Sequence, residues 1–256
     1  MFEAAIPFIW RQTIFLLSGV GAGVANGIAG GGTFITFPTL LAVGIQALQA
    51  NVSTSVGVLP SYFGGIRGFR HQFADHRALV RSLVPSCLAG AALGSALLLT
   101  GSPGTFRNVV PWLVGAGTLL FALAPRITSR LSHIDHAHAS RRWTLYVGVF
   151  VVSIYGGYFG AGLGILLLAI MAISLPYELA DLQGLRNVLS LIINACAAVI
   201  FIIRGHLALD AVYMLLIGTL IGGVLGTLLI QRISSKAVRW LVISTGVATT
   251  VRLFWN

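Results

Sequence analysis

Asn26-Gly27-Ile28-Ala29-Gly30-Gly31-Gly32 breaks an apolar segment, and 130 positions later Gly157-Tyr158-Phe159-Gly160-Ala161-Gly162 breaks another. Glycine lacks a Cβ, so each stretch lets the backbone leave the helical path or approach a neighbour closely. Gly-interrupted segments at corresponding places of two halves point to a membrane-transporter architecture, with a ligand site near the bilayer midplane where the broken helices meet. The competing explanation is tight helix packing by small residues.

Composition places the chain in a bilayer. Of 256 residues, 57% are hydrophobic and 9% charged, with mean hydropathy +0.93; a soluble domain is about 25% charged. Apolar stretches run near 12–28, 33–45, 50–66, 78–100, 107–125, 143–159, 163–175, 182–203, 211–230 and 237–255. Most can cross about 30 Å of hydrocarbon at about 1.5 Å per residue. Segments 33–45 and 163–175 reach only about 20 Å, so they must tilt, thin the bilayer, or be discontinuous or re-entrant. The net charge of +10 is concentrated in loops: Arg67, Arg70, Arg77 and Arg81; Arg126, Arg130, Arg141 and Arg142; Arg232, Lys236 and Arg239. The positive-inside effect explains this better than a nucleic-acid partner and puts all three clusters in the cytoplasm. Cys87 and Cys196 lie in apolar segments and imply no disulfide framework. With no basic n-region, the first apolar run is expected to stay as a helix.

The internal repeat extends past the glycines. Gly90-Ala91-Ala92-Leu93-Gly94 resembles Gly222-Gly223-Val224-Leu225-Gly226 at an offset of 132. The Gly90/Gly94 and Gly222/Gly226 spacings suit close helix approach, a structural role. Five crossings per half, or three plus a re-entrant hairpin, would invert the second repeat; four crossings with one broken helix would make the repeats parallel. With five and the N-terminus outside, twelve Lys/Arg lie inside and four (Arg11, Arg107, Arg204, Arg252) outside. With four, the split is eleven to five, so charge favours inversion.

The chain resembles the sulfite exporter TauE/SafE family through Asn26-Gly27-Ile28-Ala29-Gly30-Gly31-Gly32-Thr33, Phe37-Pro38, Ala50-Asn51-Val52-Ser53-Thr54, Gly64, Gly65 and Arg70. In the second half the resemblance takes in Leu185-Arg186-Asn187, Ile193-Asn194 and the Gly222/Gly226 helix. It implies a multi-pass inner-membrane permease for small organosulfur or sulfur oxyanions, commonly moved outward. The halves are not symmetric in polar residues: Asn51 faces Asp181 and Thr54 faces Gly184 at an offset of 130.

Helices beginning near Thr33 and Leu163 would aim N-terminal dipoles and free N–H groups at an oxyanion, with Gly31, Gly32, Gly160 and Gly162 permitting close approach. Arg186 is the basic residue placed within the second half's polar helix, able to fork two oxyanion oxygens or else to snorkel or pair with Asp181 or Glu178. Gln183, Asn187, Ser190 and Asn194 follow i, i+4, i+7, i+11 and form one polar stripe, for substrate or for interhelical hydrogen bonds. Asn51 and Thr54 either bind substrate oxygens or, for Asn51, cap a helix. The binding set is thus Asn26, Gly31, Gly32, Thr33, Asn51, Thr54, Gly160, Gly162, Gln183, Arg186, Asn187 and Asn194. Asp181 and Glu178 are the candidate coupling carboxylates. Deep segments contain no Asp or Glu, which disfavours a cation site and suits an anion. His133, His136, His138 and Asp135 read as a solvated linker rather than a metal site.

The expected fold is therefore all-α and polytopic: a first transmembrane repeat over 1–125, a cytoplasmic basic linker over 126–142 and a second repeat over 143–256. Expected partners are a small anionic substrate and the lipid bilayer. No cofactor, metal or nucleic acid is called for, and homo-oligomerisation is left open. A non-transport scaffold or assembly factor and a permease for another small anion remain as alternatives. Catalysis is disfavoured because the segments contain no nucleophile–base arrangement.

Overall fold

A computed structural model describes residues 7–28, 30–63, 76–131, 142–228 and 235–255. The first half contributes α1 (Phe8–Ile28), α2 (Thr33–Ala42), α3 (Ala47–Gly57), α4 (Arg77–Thr100) and α5 (Pro103–Leu131). The second contributes α6 (Arg142–Tyr158), α7 (Leu163–Ser174), α8 (Leu179–Arg204), α9 (Leu209–Leu228) and α10 (Ser235–Trp255). The central-loop residues His133, Asp135, His136 and His138 lie outside the described residues, as do Arg67 and Arg70. Among the described residues, α1, α4, α5, α8, α9 and α10 are long and apolar enough to cross a membrane. The chain is a multi-pass all-helical membrane protein.

The two glycine breaks start new helices where expected, at Thr33 and Leu163, and α2 and α7 have only 10 and 12 residues. A third short helix corrects the expectation of one segment over 50–66. α3 has 11 residues and ends at Gly57, followed by a turn through Val58, Leu59 and Pro60. Pro60 has no N–H to donate and disfavours a helical Leu59, so the helix stops short of it.

The halves interlock. The first helix of each packs on the fourth helix of the other, α1 on α9 and α6 on α4. Glycines make both contacts close: a Cβ on Gly222 would lie 2.1 Å from the Val20 carbonyl oxygen, and one on Gly94 2.0 Å from that of Ile154. In hydrocarbon, where apolar contact alone favours no partner, such backbone approach supplies van der Waals packing.

Contact order gives the directions. Leu16, Val20 and Val24 meet Gly218, Gly222 and Gly226 in turn, so α1 and α9 are parallel; Phe150 and Ile154 meet Gly90 and Gly94, so α4 and α6 are too. The fifth helices run oppositely. Trp112 meets Phe254, Gly115 approaches Thr250, Thr118 meets Gly246, and Arg239 donates to the Ala122 carbonyl at 2.7 Å. Among the described residues, the antiparallel pairing of α5 with α10 is the arrangement that oppositely oriented repeats would give.

A phenylalanine-rich core (Phe34, Phe37, Phe106, Phe121, Phe159) forms around α2, α3 and α5. A leucine-rich core (Leu163, Leu167, Leu185, Leu189) joins α7 and α8. The start of α7 divides them, since Leu163 belongs to one and Ile165 to the other.

Candidate functional site

Both breaks close the preceding helix in the same way. The Gly30 N–H reaches back to Ala25 at 3.0 Å, and the Gly160 N–H to Tyr155 at 3.1 Å. Gly30 (φ +79°), Gly160 (φ +77°) and Gly162 (φ +80°) occupy the left-handed region that a side chain disfavours.

Their bracing differs. At the first break the Asn26 Oδ1 accepts the Gly32 N–H at 2.7 Å, while its Nδ2 donates to the Ser61 hydroxyl at 2.8 Å. Gly32 has no room for a side chain, because a Cβ would lie 2.6 Å from the Ala22 carbonyl oxygen. Gly31 is likewise packed on Phe121 and Val242. Asn26, Gly31 and Gly32 thus make contacts that hold the break itself. At the second break the Asn51 Nδ2 donates to the Tyr158 carbonyl at 2.9 Å, and the Tyr155 hydroxyl donates to the Ala161 carbonyl. The capping expectation for Asn51 is corrected. Gln46 holds the N-cap position of α3, and Asn51 sits in its second turn facing the other repeat.

The two breaks meet. Phe37 and Phe159 stack edge-to-face with centroids 5.5 Å apart, and a Cβ on Gly162 would touch Phe34 at 3.9 Å. Arg186 lies against both starts. Two turns into α8 and only 7% exposed, it lays its side chain over Gly164, where a Cβ would lie 3.2 Å from Cδ. Its guanidinium extends to the first break, 3.8 Å from the Cβ position of Gly30.

No carboxylate pairs with Arg186 among the described residues. Asp181 instead faces His76 at 3.6 Å, and that imidazole stacks on Tyr177. Glu178 is exposed at the N-cap of α8. Arg186 donates to the Asn187 Oδ1 at 3.3 Å, and the Tyr62 phenol lies within its electrostatic range.

The polar stripe is mostly internal. Asn187, Ser190 and Asn194 are buried and Gln183 half-buried. Asn194 donates to the Tyr62 hydroxyl at 3.1 Å and to the Ser190 carbonyl at 2.9 Å. Thr33 is half-buried at the head of α2. Thr54 is buried, and neither its hydroxyl nor the Asn51 Oδ1 has a hydrogen-bond partner among the described residues. Tyr62 and Ser61 were not legible as site neighbours, because they stand inside an apolar run. The one available signal was that Tyr62 and Asn194 are 132 positions apart, the repeat offset. A cavity of about 420 Å³ also opens between α2 and α10, lined by Pro38, Thr39, Thr245, Thr249 and Leu253 with Arg252.

The arrangement concentrates positive potential. A buried guanidinium adjoins the N-terminal ends of two helices, each carrying about half a positive charge. An unpaired buried cation loses several kcal/mol of hydration, which an anion bound beside it would offset.

Comparison with known proteins agrees with a membrane carrier. The chain is 22% identical over 246 residues to a protein of Haemophilus influenzae named "Probable membrane transporter protein", covering 95% of this chain and 94% of that one. It is 26% identical to "Probable membrane transporter protein ORF9" of a Sinorhizobium species, covering 91% and 88%. It is 20% identical to "Probable membrane transporter protein YfcA" of Escherichia coli K12, covering 92% and 86%. No solved structure matches the chain. Residues 15–253 match the family described as Sulfite exporter TauE/SafE, and with that match spanning nearly all of the helical bundle the chain belongs to this family of membrane transporters.

Proposed function

We propose that the protein exports a small sulfur-containing oxyanion, of the sulfite or sulfonate type, by alternating access around the crossing of its two broken helices. The observation that carries this reading is Arg186: a buried guanidinium without a carboxylate partner among the described residues, set against the starts of both repeats' short helices. A fork of N–H donors matches two oxygens of a tetrahedral or pyramidal oxyanion. Asn187 orients the fork, and the N-terminal ends of α2 and α7 add potential without a permanent countercharge. Inverted repeats supply the motion, because each half can take the other's conformation and so open the site to alternate sides.

Direction follows from charge. The bundle end carrying Arg77, Arg81, Arg126, Arg142 and Lys236 is the cytoplasmic one under the positive-inside rule. An inside-negative potential then drives an anion outward by about 2.3 kcal/mol per charge per 100 mV, so export needs no proton. The cavity between α2 and α10 lies toward the opposite end and forms the outer vestibule, with Arg252 at its rim.

The test is flux from proteoliposomes loaded with sulfite, a sulfonate, sulfate or chloride, under an imposed potential. Saturable, Arg186-dependent efflux of a sulfur oxyanion is the expected result. Equal kinetics in Arg186→Ala protein would remove the assignment. Absence of flux for every anion, from folded protein, would favour a scaffold.

A further inference from the structure

Asn51 and Thr54 occupy neighbouring turns on one face of α3, and both are almost wholly buried, at 0% and 1% exposed. The Asn51 amide orientation is forced: the group it faces is the Tyr158 carbonyl, an acceptor, so the NH₂ must point there at 2.9 Å and Oδ1 must point away. Among the described residues that oxygen has no partner, nor does the Thr54 Oγ1. The two serines of the same helix are accounted for. Ser53 accepts the Ala208 N–H at 2.9 Å, and Ser55 donates to the Asn51 carbonyl at 3.0 Å.

An amide oxygen accepts hydrogen bonds and cannot donate them, so this orphan asks for a donor. It does not suit the oxygens of an anion, which would repel it. Donors for those oxygens come instead from Arg186, which adjoins the same break at Gly164, six residues beyond the Tyr158 that Asn51 holds. The break is therefore flanked by a donor fork on α8 and, on α3, by an amide acceptor in Asn51 beside a Thr54 hydroxyl that can accept or donate. We infer that the transported anion carries an O–H or N–H donor as well as its oxyanion group, and that Asn51 with Thr54 selects for that donor.

This rests on the anion reading of Arg186 and divides the site: α8 recognises charge, α3 recognises the substituent. A fully deprotonated oxyanion without a donor would leave Asn51 unpaired, and buried unpaired polar groups are how binding sites reject analogues.

The test compares ethanesulfonate with 2-hydroxyethanesulfonate, alike in charge and differing by one hydroxyl, as efflux from proteoliposomes of the full chain. The native protein is expected to favour the hydroxylated anion in kcat/KM by about tenfold or more. Asn51→Ala should abolish the preference, read as the ratio of kcat/KM for the two anions within the variant, whatever its absolute flux. Because Asn51→Ala also loses the bond to Tyr158, Thr54→Val provides a near-isosteric second variant, expected to reduce the preference several-fold with normal folding. Equal native kinetics for the two anions, with flux still lost in Arg186→Ala, would overturn the selectivity and leave the anion site standing. Flux of both that requires sodium and loses that requirement in Asn51→Ala would overturn it in favour of a coupling cation. If neither anion moves, and Arg186→Ala is indistinguishable from native, both readings fall together.

Discussion

The third described helix of each half, α3 and α8, differs from its counterpart in length and in polar chemistry. α3 stops after 11 residues and presents neutral oxygens from Asn51 and Thr54; α8 runs unbroken for 26 and carries Arg186. Both pack on the fourth helix of the other half, α3 on α9 and α8 on α4. The charge is supplied once. Two buried guanidiniums at one crossing would repel each other in a medium of low dielectric, so a symmetric scaffold accommodates an anion more readily with one cation and one neutral wall.

The largest way to break this contrast is to remove its charged side. Arg186→Ala is expected to lower kcat/KM for the transported anion by about a hundredfold, the scale of a charge-assisted fork, while inserting and purifying normally. Arg186→Lys should recover only part, because an ammonium cannot match two oxygens in a plane. Moving the charge is a sharper test: Thr54→Arg combined with Arg186→Thr should leave flux at the Arg186→Ala level. Restored flux would show the two walls to be interchangeable.

Smaller effects follow from the supports. Gly164→Ala places a methyl 3.2 Å from the Arg186 Cδ, and displacing the fork should reduce kcat/KM by about tenfold with little change in melting temperature. Asn26→Ala removes two buried hydrogen bonds at the first break, so it should cost about 1–3 kcal/mol and lower the melting temperature in detergent. The smallest change is expected for Asp181→Asn. Its half-exposed contact with His76 is worth less than about 1 kcal/mol, so both flux and stability should stay near native. A marked loss of flux would instead make Asp181 a coupling carboxylate and give α8 a second charged role.

Much of this was legible in the chain itself. Hydropathy determined that the protein lives in a bilayer. Glycine without a Cβ determined where α2 and α7 begin, at Thr33 and Leu163. The 132-residue offset and the loop charges pointed to inverted repeats, because both depend on local composition and order. Arg186 stood out because a cation is rare in an apolar helix.

Pairing across the repeats was decided only in three dimensions. No local pattern tells Asn51 that its neighbour is the Tyr158 carbonyl, 107 positions away, or tells Asp181 that it faces His76 rather than Arg186. Likewise no local pattern gives the Asn26 amide the Gly32 N–H and the Ser61 hydroxyl as partners. Polar side chains in lipid must find partners inside the protein, and which partners are near is set by helix packing. That the Arg186 charge and the Asn51 and Thr54 oxygens are left without partners among the described residues is a property of the folded bundle and not of any segment of its sequence.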